Sequence, residues 1–399
     1  MLIDYIKELD EKYYMGVFGS RLPAAFERGE GMRLYDSAGN SYKDFLAGIA
    51  VNALGYSDQH FKEALKGQID RLIHTSNYFY NEQQAQLAQQ LCERTGYDKV
   101  FLGNSGAEAN ECALKLAQKR AYDKGNKEAN FVALKNSFHG RTLATIAATG
   151  QPRFQQPFQP PALTFRFIES DDVAAVDELI DENTCGVIIE TIQGEGGVFP
   201  LSALFVKAIR RRCDQVGALL IIDEIQTGMG RTGRFLAQEY LGVRGDVTTL
   251  AKALGNGIPI GACLATKDAA ATFGPGDHGS TFGGNHLACT AGRYMVRAID
   301  DKMCEDIMEM GQFFKYQLFK LKGAHPEYVA DVRGLGLMLG LQLTERLDAH
   351  EAMVKLFDLG FIVATAGCNT LRFLPPYIVT RQDVQDLMGA LEYMFEHGS

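Results

Sequence analysis

The chain has 399 residues, 46% of them hydrophobic, and a formal net charge of −9. That length allows a large core and two or three domains, and the acidic balance without a basic stretch excludes a nucleic-acid-binding role. No apolar run reaches membrane-spanning length. The eight cysteines are scattered and form no Cys-x-x-Cys pair, which excludes both a zinc site and a disulfide framework, so no bound metal is expected. The N-terminal run from Met1 to Tyr5 lacks the basic-then-apolar pattern of a secretory signal, and a cytoplasmic location is the expectation.

In chain order, Asp4 to Tyr14 has the spacing of a short amphipathic helix, and glycines and Pro23 then break the regularity. Arg33–Asp36 and Ser41–Leu46 flank Ser37-Ala38-Gly39-Asn40, a hairpin signal. From about residue 47, short apolar strands alternate with helices. Helical spacing covers Glu82–Arg94, Ala107–Lys124 and Ser202–Val216, and strands are expected at Val100–Leu102, Phe131–Leu134, Gly186–Ile189 and Ala218–Ile222. Continuous apolar strands between helices indicate an α/β protein with a parallel sheet covered on both faces. From about residue 286 the pattern changes to one long helical stretch reaching Lys322. The segment Val329–Leu343, a helix near 345–359, a strand at Leu371–Phe373 and a last helix from Arg381 follow it. The expected division is an N-terminal segment, 1–46, packed with a small C-terminal α+β domain, 286–399, around a large domain, 47–285.

Chemistry-bearing residues fall at strand ends. Lys252 follows the β-branched run Val247–Leu250 and precedes Gly255-Asn256-Gly257. An ammonium there is costly unless it is paired or covalently used, for instance in a Schiff base with an aldehyde cofactor. Taken alone, Lys252 reads more simply as a surface lysine. Gly103-Asn104-Ser105-Gly106-Ala107-Glu108 follows a strand and opens a helix. Its free N–H groups suit a phosphate, although an ordinary helix capped by Ser105 accounts for the same run. In Phe138-His139-Gly140-Arg141, Phe138 could stack on a flat ring and Arg141 could clamp a carboxylate, or the two could be a core aromatic beside a surface cation. Asp223 ends the clearest buried strand, about one βα unit before Lys252. It could keep a pyridine nitrogen protonated or merely cap a helix. Gly228-Met229-Gly230-Arg231-Thr232-Gly233 matches Gly-x-Gly-x-x-Gly but stands five residues beyond its strand, so a nicotinamide site is a poor reading. Arg372 lies inside an apolar strand and needs a partner, for which Glu195, set among glycines, is the candidate.

Together these stretches, with Phe45–Gly55, Asp223–Gly228, Leu250–Gly257 and Gly279–Asn285, resemble the class-III pyridoxal-phosphate-dependent aminotransferases of fold type I over nearly the whole chain. The nearest resemblance is to members acting on N2-acetylornithine in arginine biosynthesis. The resemblance implies a large domain with a mostly parallel seven-stranded sheet between helices, a smaller α+β domain, pyridoxal 5'-phosphate as cofactor, and a homodimer with active sites at the subunit interface. The implied reaction is amino transfer from N2-acetyl-L-ornithine to 2-oxoglutarate, giving the 5-semialdehyde and glutamate. Ornithine, succinylornithine, succinyl-diaminopimelate and 4-aminobutyrate are alternative donors, and a glutamate-semialdehyde aminomutase is the alternative reaction. By resemblance, Lys252 binds the cofactor and shuttles the proton, and Asp223 pairs with the ring nitrogen. Gln226 lies near the ring hydroxyl, Phe138 stacks on the ring, and Ser105, Gly106 and Ala107 form the phosphate turn, completed by Thr281 of the neighbouring subunit. Ser280 and Arg141 touch substrate, and Glu195 and Arg372 act as a switch pair for two differently charged substrates. The sequence departs from the family pattern at Gly55–His60, at Thr191 and at His286. It also departs where Phe18, with Tyr13 and Tyr14 nearby, replaces a tyrosine near the substrate's amino end.

Overall fold

The structure, a computed structural model, describes residues 2–19 and 21–397; Met1, Ser20, Gly398 and Ser399 lie outside it. Its centre is a seven-stranded sheet. The strands run in the order Lys99–Gly103, Gly261–Ala265, Val247–Leu250, Leu219–Asp223, Thr184–Glu190, Asn130–Leu134, Phe165–Ile168. Gly261–Ala265 is antiparallel to both neighbours, and all other pairings are parallel.

Every residue of Thr184–Glu190, Leu219–Asp223 and Val247–Leu250 is buried, which is why these strands read as continuous apolar or β-branched runs without polar alternation. Val187, Ile189, Leu220 and Ile222 pack on one side of the sheet with Phe205 and Ile209 of the Ala203–Val216 helix. Ile188, Ile221 and Val247 point the other way, onto Ala113 and Leu116 of the Gly106–Asp123 helix. Each fully buried large side chain contributes about 2 kcal/mol of transfer free energy, so these two layers dominate the sheet's stability. The helices are well delimited. Ser202 Oγ accepts from the Phe205 N–H at 3.3 Å, and Gly217, at φ 75°, ends the Ala203–Val216 helix in the left-handed conformation that glycine adopts without strain.

The C-terminal part holds a second sheet, Val329–Leu335, Met338–Leu343, Thr370–Phe373 and Ala364–Ala366 in that order, packed under the helices Asp301–Ala324, Ala349–Asp358 and Arg381–His397. The hairpin Arg33–Asp36 with Ser41–Asp44 forms as expected. It lies in a sheet of its own with Phe26–Glu30 and pairs with the C-terminal part only through Phe361–Ile362.

Three local readings differ from expectation. The helical stretch from 286 is two helices, His286–Ala298 and Asp301–Ala324. The chain leaves helical geometry at Ile299, and the Asp300 carboxylate caps the second helix by accepting from Met303 N–H at 2.8 Å. Phe165–Ile168 is a strand despite a central cation, because Arg166 reaches Asp181 at 2.9 Å. Gly261–Ala265 is a strand of small residues with little β propensity. It fits because strand backbone must pass close to the site: a Cβ on Gly261 would lie 2.1 Å from the Ser105 carbonyl oxygen.

The Gly228–Gly233 run is a buried turn rather than a strand–turn–helix nucleotide loop. It carries Arg231, which is fully buried, stacks on Tyr377 with 4.6 Å to the ring centroid, and donates to the carbonyls of Leu337 (3.1 Å) and Pro375 (2.6 Å). The turn therefore ties the large sheet to the C-terminal part. The C-terminal ends of the parallel strands at Gly103, Leu134, Glu190, Asp223 and Leu250 all open on one edge, where ligands bind in such sheets.

Candidate active site

That edge holds a cavity of about 410 Å³. Ser105, Gly106, Ala107, Phe138, Arg141, Glu195, Asp223, Gln226 and Lys252 all line it. Nine of the residues singled out from the sequence thus meet in one place. Arg372 stands just behind them, buried, with its Nη1 2.6 Å from Glu195 Oε1 and 3.3 Å from Gln226 Oε1. Ser280 is outside the cavity wall, its Oγ accepting from Asn104 Nδ2 at 3.1 Å. Thr281 is exposed and does not line the cavity, and neither do Tyr13, Tyr14 or Phe18.

Lys252 follows the Val247–Leu250 strand at φ 48°, a left-handed conformation unusual for a side chain of this size. Its ammonium has no hydrogen-bond partner among the described residues. Burial foremost, then the nearby Arg372, push its pKa down to about 8, against the pull of Glu195, Asp223 and Glu190. An amine so placed gives and takes a proton near neutrality.

Asp223 is held from three sides. Its Oδ2 accepts from Asn110 Nδ2 at 2.8 Å and lies 2.8 Å from His139 Nδ1, while its Oδ1 accepts from Ile225 N–H at 3.0 Å. Asn110 is fixed in turn by Thr249 Oγ1, which donates to Asn110 Oδ1 at 2.8 Å, and donates itself to the His139 carbonyl at 2.8 Å. Asp223 is therefore not a helix cap. Beside it Glu190 accepts from the N–H groups of Phe138 (3.0 Å) and Gly194 (3.2 Å). Burial, with repulsion from Asp223, raises its pKa to about 7.

At the mouth of the Gly106–Asp123 helix, Ser105 Oγ accepts from Glu108 N–H at 3.1 Å. Helix geometry leaves the N–H groups of Gly106 and Ala107, both on the cavity wall, free for an anion at the positive end of the helix dipole. Gly106 lets Ile225 approach closely: a Cβ there would meet Ile225 Cδ1 at 2.8 Å, so a larger residue would displace that side chain. Arg141 spreads over Phe154 (3.8 Å) and Phe138 (5.4 Å), exposed and without an ion pair to any described residue.

His139, Asn110 and Glu190 were not assigned roles from the sequence. Glu190 ends an apolar strand as Asp223 does, so the same strand-end argument applied to Gly186–Ile189 would have found it. Asn110 gives no such signal, since a polar residue one turn into a helix is ordinary. The departures at Gly55–His60 are structural: the Tyr56 hydroxyl donates to Asp44, and Asp58 caps the Gln59–Arg71 helix through Phe61 N–H at 2.7 Å. Thr191 is buried with an unpartnered hydroxyl, and His286 opens the His286–Ala298 helix.

A lysine facing the cavity, an anion cradle, a fixed carboxylate and an aromatic wall match the four parts of pyridoxal phosphate: aldehyde, phosphate, ring nitrogen and ring face. His139 faces Asp223 through Nδ1, and its Nε2 is buried without a partner among the described residues. The fold and the site together define a pyridoxal-phosphate-dependent enzyme of fold type I. The sequence pattern of the class-III aminotransferases matches residues 14–395. Curated acetylornithine aminotransferases from Caldanaerobacter subterraneus subsp. tengcongensis and Methanocaldococcus jannaschii are 43% and 42% identical to it, over 96% and 97% of this chain and 97% of each relative. Among solved structures, an ornithine aminotransferase from Toxoplasma gondii superposes with a TM-score of 0.93 at 32% identity, covering 99% of this chain and 95% of that one. An acetylornithine aminotransferase from Elizabethkingia anophelis gives 0.88 at 32% identity, covering 99% of both. The chain belongs to the class-III aminotransferases.

Replacing Lys252 by alanine removes an amine that has no hydrogen-bond partner to lose, so the fold should persist. Turnover should fall by at least about a thousandfold, and borohydride should no longer fix the cofactor to the chain. Circular dichroism, a transaminase assay and mass analysis after reduction check this, and substantial remaining turnover would refute the proton-transfer role.

Proposed function

We propose that the enzyme transfers the δ-amino group of N2-acetyl-L-ornithine to 2-oxoglutarate, forming N-acetyl-L-glutamate 5-semialdehyde and L-glutamate as a step in arginine biosynthesis. The observation carrying this reading is the Glu195–Arg372 pair at 2.6 Å on the cavity, because this reaction needs one pocket for two ligands of different charge. Full-length relatives at 42–43% identity bearing that activity support it. Ornithine itself is the second reading, favoured by the 0.93 superposition, but at the lower identity of 32%.

Pyridoxal phosphate, when bound, supplies an electron sink that stabilises negative charge at the carbon losing its proton. The chain's residues do the rest. Lys252 Nζ would give and take the proton at the reacting substrate carbon. Asp223, oriented by His139 and Asn110, would hold the proton on the ring nitrogen. Phe138 would lie against the ring, Gln226 would stand near its hydroxyl, and the Ser105-Gly106-Ala107 turn would hold the phosphate. Arg141 offers an unpaired guanidinium to a substrate carboxylate, with Ser280 near the same ligand. With the donor bound, Glu195 neutralises Arg372. With 2-oxoglutarate bound, Glu195 moves aside and Arg372 takes the α-carboxylate. Glu195 can move because its side chain is about one-third exposed, whereas Arg372 is fixed in its strand at 2% exposure.

The active unit we propose is a homodimer whose second copy brings Thr281 to the phosphate. Support comes from the surface. The Leu2–Tyr13 helix buries no residue, and Tyr78, Phe79, Tyr80 and Phe282 are exposed beside the Ser280–Thr281 loop, to which Asn77 is hydrogen-bonded at 2.9 Å. An apolar surface of that extent is costly in water unless a partner covers it. The eight free cysteines fit a reducing, cytoplasmic setting, and no described helix is long and apolar enough to cross a membrane.

A donor panel with 2-oxoglutarate as acceptor, comprising acetylornithine, succinylornithine, ornithine and 4-aminobutyrate, should show the highest kcat/KM for acetylornithine; preference for free ornithine would overturn the assignment. In the Glu195→Ala variant, acetylornithine use should fall about tenfold relative to glutamate use, since the uncovered Arg372 favours the acidic ligand. An unchanged ratio removes the switch. Sedimentation should give twice the chain mass, and a monomer with full activity would contradict the shared site.

A further inference from the structure

Glu190 lines the active cavity and is buried, yet none of the roles set out above falls to it. It ends the Thr184–Glu190 strand directly opposite Asp223, its register partner on the neighbouring strand. Two carboxylates thus stand side by side on one sheet edge, and they are held differently. Asp223 is fixed mainly by the side chains of Asn110 and His139. Glu190 is fixed by backbone from two separate loops: its Oε2 accepts from Phe138 N–H at 3.0 Å, and its Oε1 from Gly194 N–H at 3.2 Å. One of those loops carries the aromatic wall of the cavity. The other carries Glu195, the residue after Gly194, which pairs with Arg372 at 2.6 Å.

The turn bearing Glu195 is also clamped from the far side. Gly367 N–H donates to the Glu195 carbonyl at 2.9 Å, and Arg333 Nε donates to the Gly197 carbonyl at 2.7 Å. Val198 N–H closes the turn on the Gln193 carbonyl at 2.9 Å. Gly367 and Arg333 belong to the C-terminal part, as Arg372 does, whereas Glu190 holds the same turn from the large sheet. With its backbone held from both sides, Glu195 leaves Arg372 by rotating its side chain, and the starting position of that rotation is set by these contacts. A carboxylate capping two loop N–H groups could serve stability alone. A buried acid beside Asp223 is a costly cap, however, since a neutral oxygen can accept from an N–H without the desolvation and the repulsion.

We propose that Glu190 is a positioning residue that couples the aromatic wall of the cofactor pocket to the substrate switch. One oxygen sets the backbone of Phe138 and with it the ring-facing side chain. The other sets Gly194 and with it the resting contact of Glu195 on Arg372. A single carboxylate at a strand end thereby keeps the cofactor face and the switch in register with the Asp223 edge. The half that concerns Arg372 rests on the Glu195–Arg372 switch proposed above; the half that concerns Phe138 does not.

The test reads two binding equilibria rather than turnover, at about pH 8, above the value of about 7 to which burial raises Glu190, so that the wild-type carboxylate is ionised. Pyridoxal phosphate is titrated into the apoprotein and followed by absorbance. Glutarate, which has two carboxylates and no keto group to react, is titrated into the cofactor-loaded enzyme in a calorimeter. Glu190→Leu removes both acceptors at similar size. It should bind pyridoxal phosphate about fivefold more weakly and glutarate about threefold more tightly, with an unchanged circular dichroism spectrum. The opposite signs identify positioning, because general loosening weakens both. Glu190→Gln keeps one acceptor oxygen and should move at least one of the two equilibria in the same direction, which keeps the proposal refutable if the leucine variant does not fold. Glu195→Ala is the control and should tighten glutarate without changing cofactor affinity. If Glu195→Ala tightens glutarate and Glu190→Leu does not, the coupling is overturned and the switch stands. If Glu195→Ala does not tighten it, the switch falls and the coupling with it. Unchanged cofactor affinity in Glu190→Leu, weaker binding of both ligands, or no change at all in Glu190→Gln would each overturn the proposal.

Discussion

The structure depends on keeping charge at the edge of an apolar sheet. Asp223 and Glu190 end neighbouring strands whose other residues are all apolar or uncharged, and Lys252 follows the next strand along. None of these groups would be stable there unassisted, since a buried, unpaired ion costs several kcal/mol. Each is held differently. Asp223 has three donors around it and Glu190 has two backbone N–H groups but a proton affinity raised to near neutrality, while Lys252 has no hydrogen-bonding partner and a depressed pKa. That ranking fits the roles proposed above. The acid proposed to remain an anion is the most supported, and the amine proposed to lose its proton is the least.

The supporting shell explains the local sequence more fully than the site residues do. Asn110 is buried one turn into the Gly106–Asp123 helix because it joins three elements: it touches Asp223 on one strand, Thr249 on the next and the His139 backbone in a loop. One helix therefore leaves its first-turn N–H groups on the cavity wall and, a turn later, fixes the Asp223 carboxylate. In the proposed site the spacing between phosphate cradle and ring-nitrogen partner would thus be built into a rigid element, with small positional error between them.

Much of this was legible in the sequence because the strands are continuous apolar runs and their ends carry unusual residues. Asp223, Lys252 and the Ser105-Gly106 turn stood out on those grounds. Gly261–Ala265 was not legible, since small residues have weak β propensity; it is a strand because it pairs with both neighbours, and its first residue is glycine because a Cβ there would lie 2.1 Å from the Ser105 carbonyl oxygen. The division of the 286–324 region was hidden for the opposite reason. Both helices are amphipathic and strongly helix-forming, and only the Asp300 cap separates them.

The residues that single-chain geometry leaves outside the cavity form a consistent group. Thr281, Tyr13, Tyr14 and Phe18 are all exposed, and all lie on segments that bury little: a polar loop at 279–285 and the N-terminal helix with its following turn. Residues assigned by strand-end position converged, because a sheet edge is a property of one chain. Residues assigned by resemblance alone, with no strand or helix of the large domain behind them, did not. The homodimer proposed above accounts for this division: the rigid half of the site is encoded in sheet topology, and the residues expected at the interface are exposed aromatics and the Thr281 hydroxyl. The exposed cluster at Tyr78, Phe79, Tyr80 and Phe282, next to the Thr281 loop, is the apolar surface that the proposed second chain would cover.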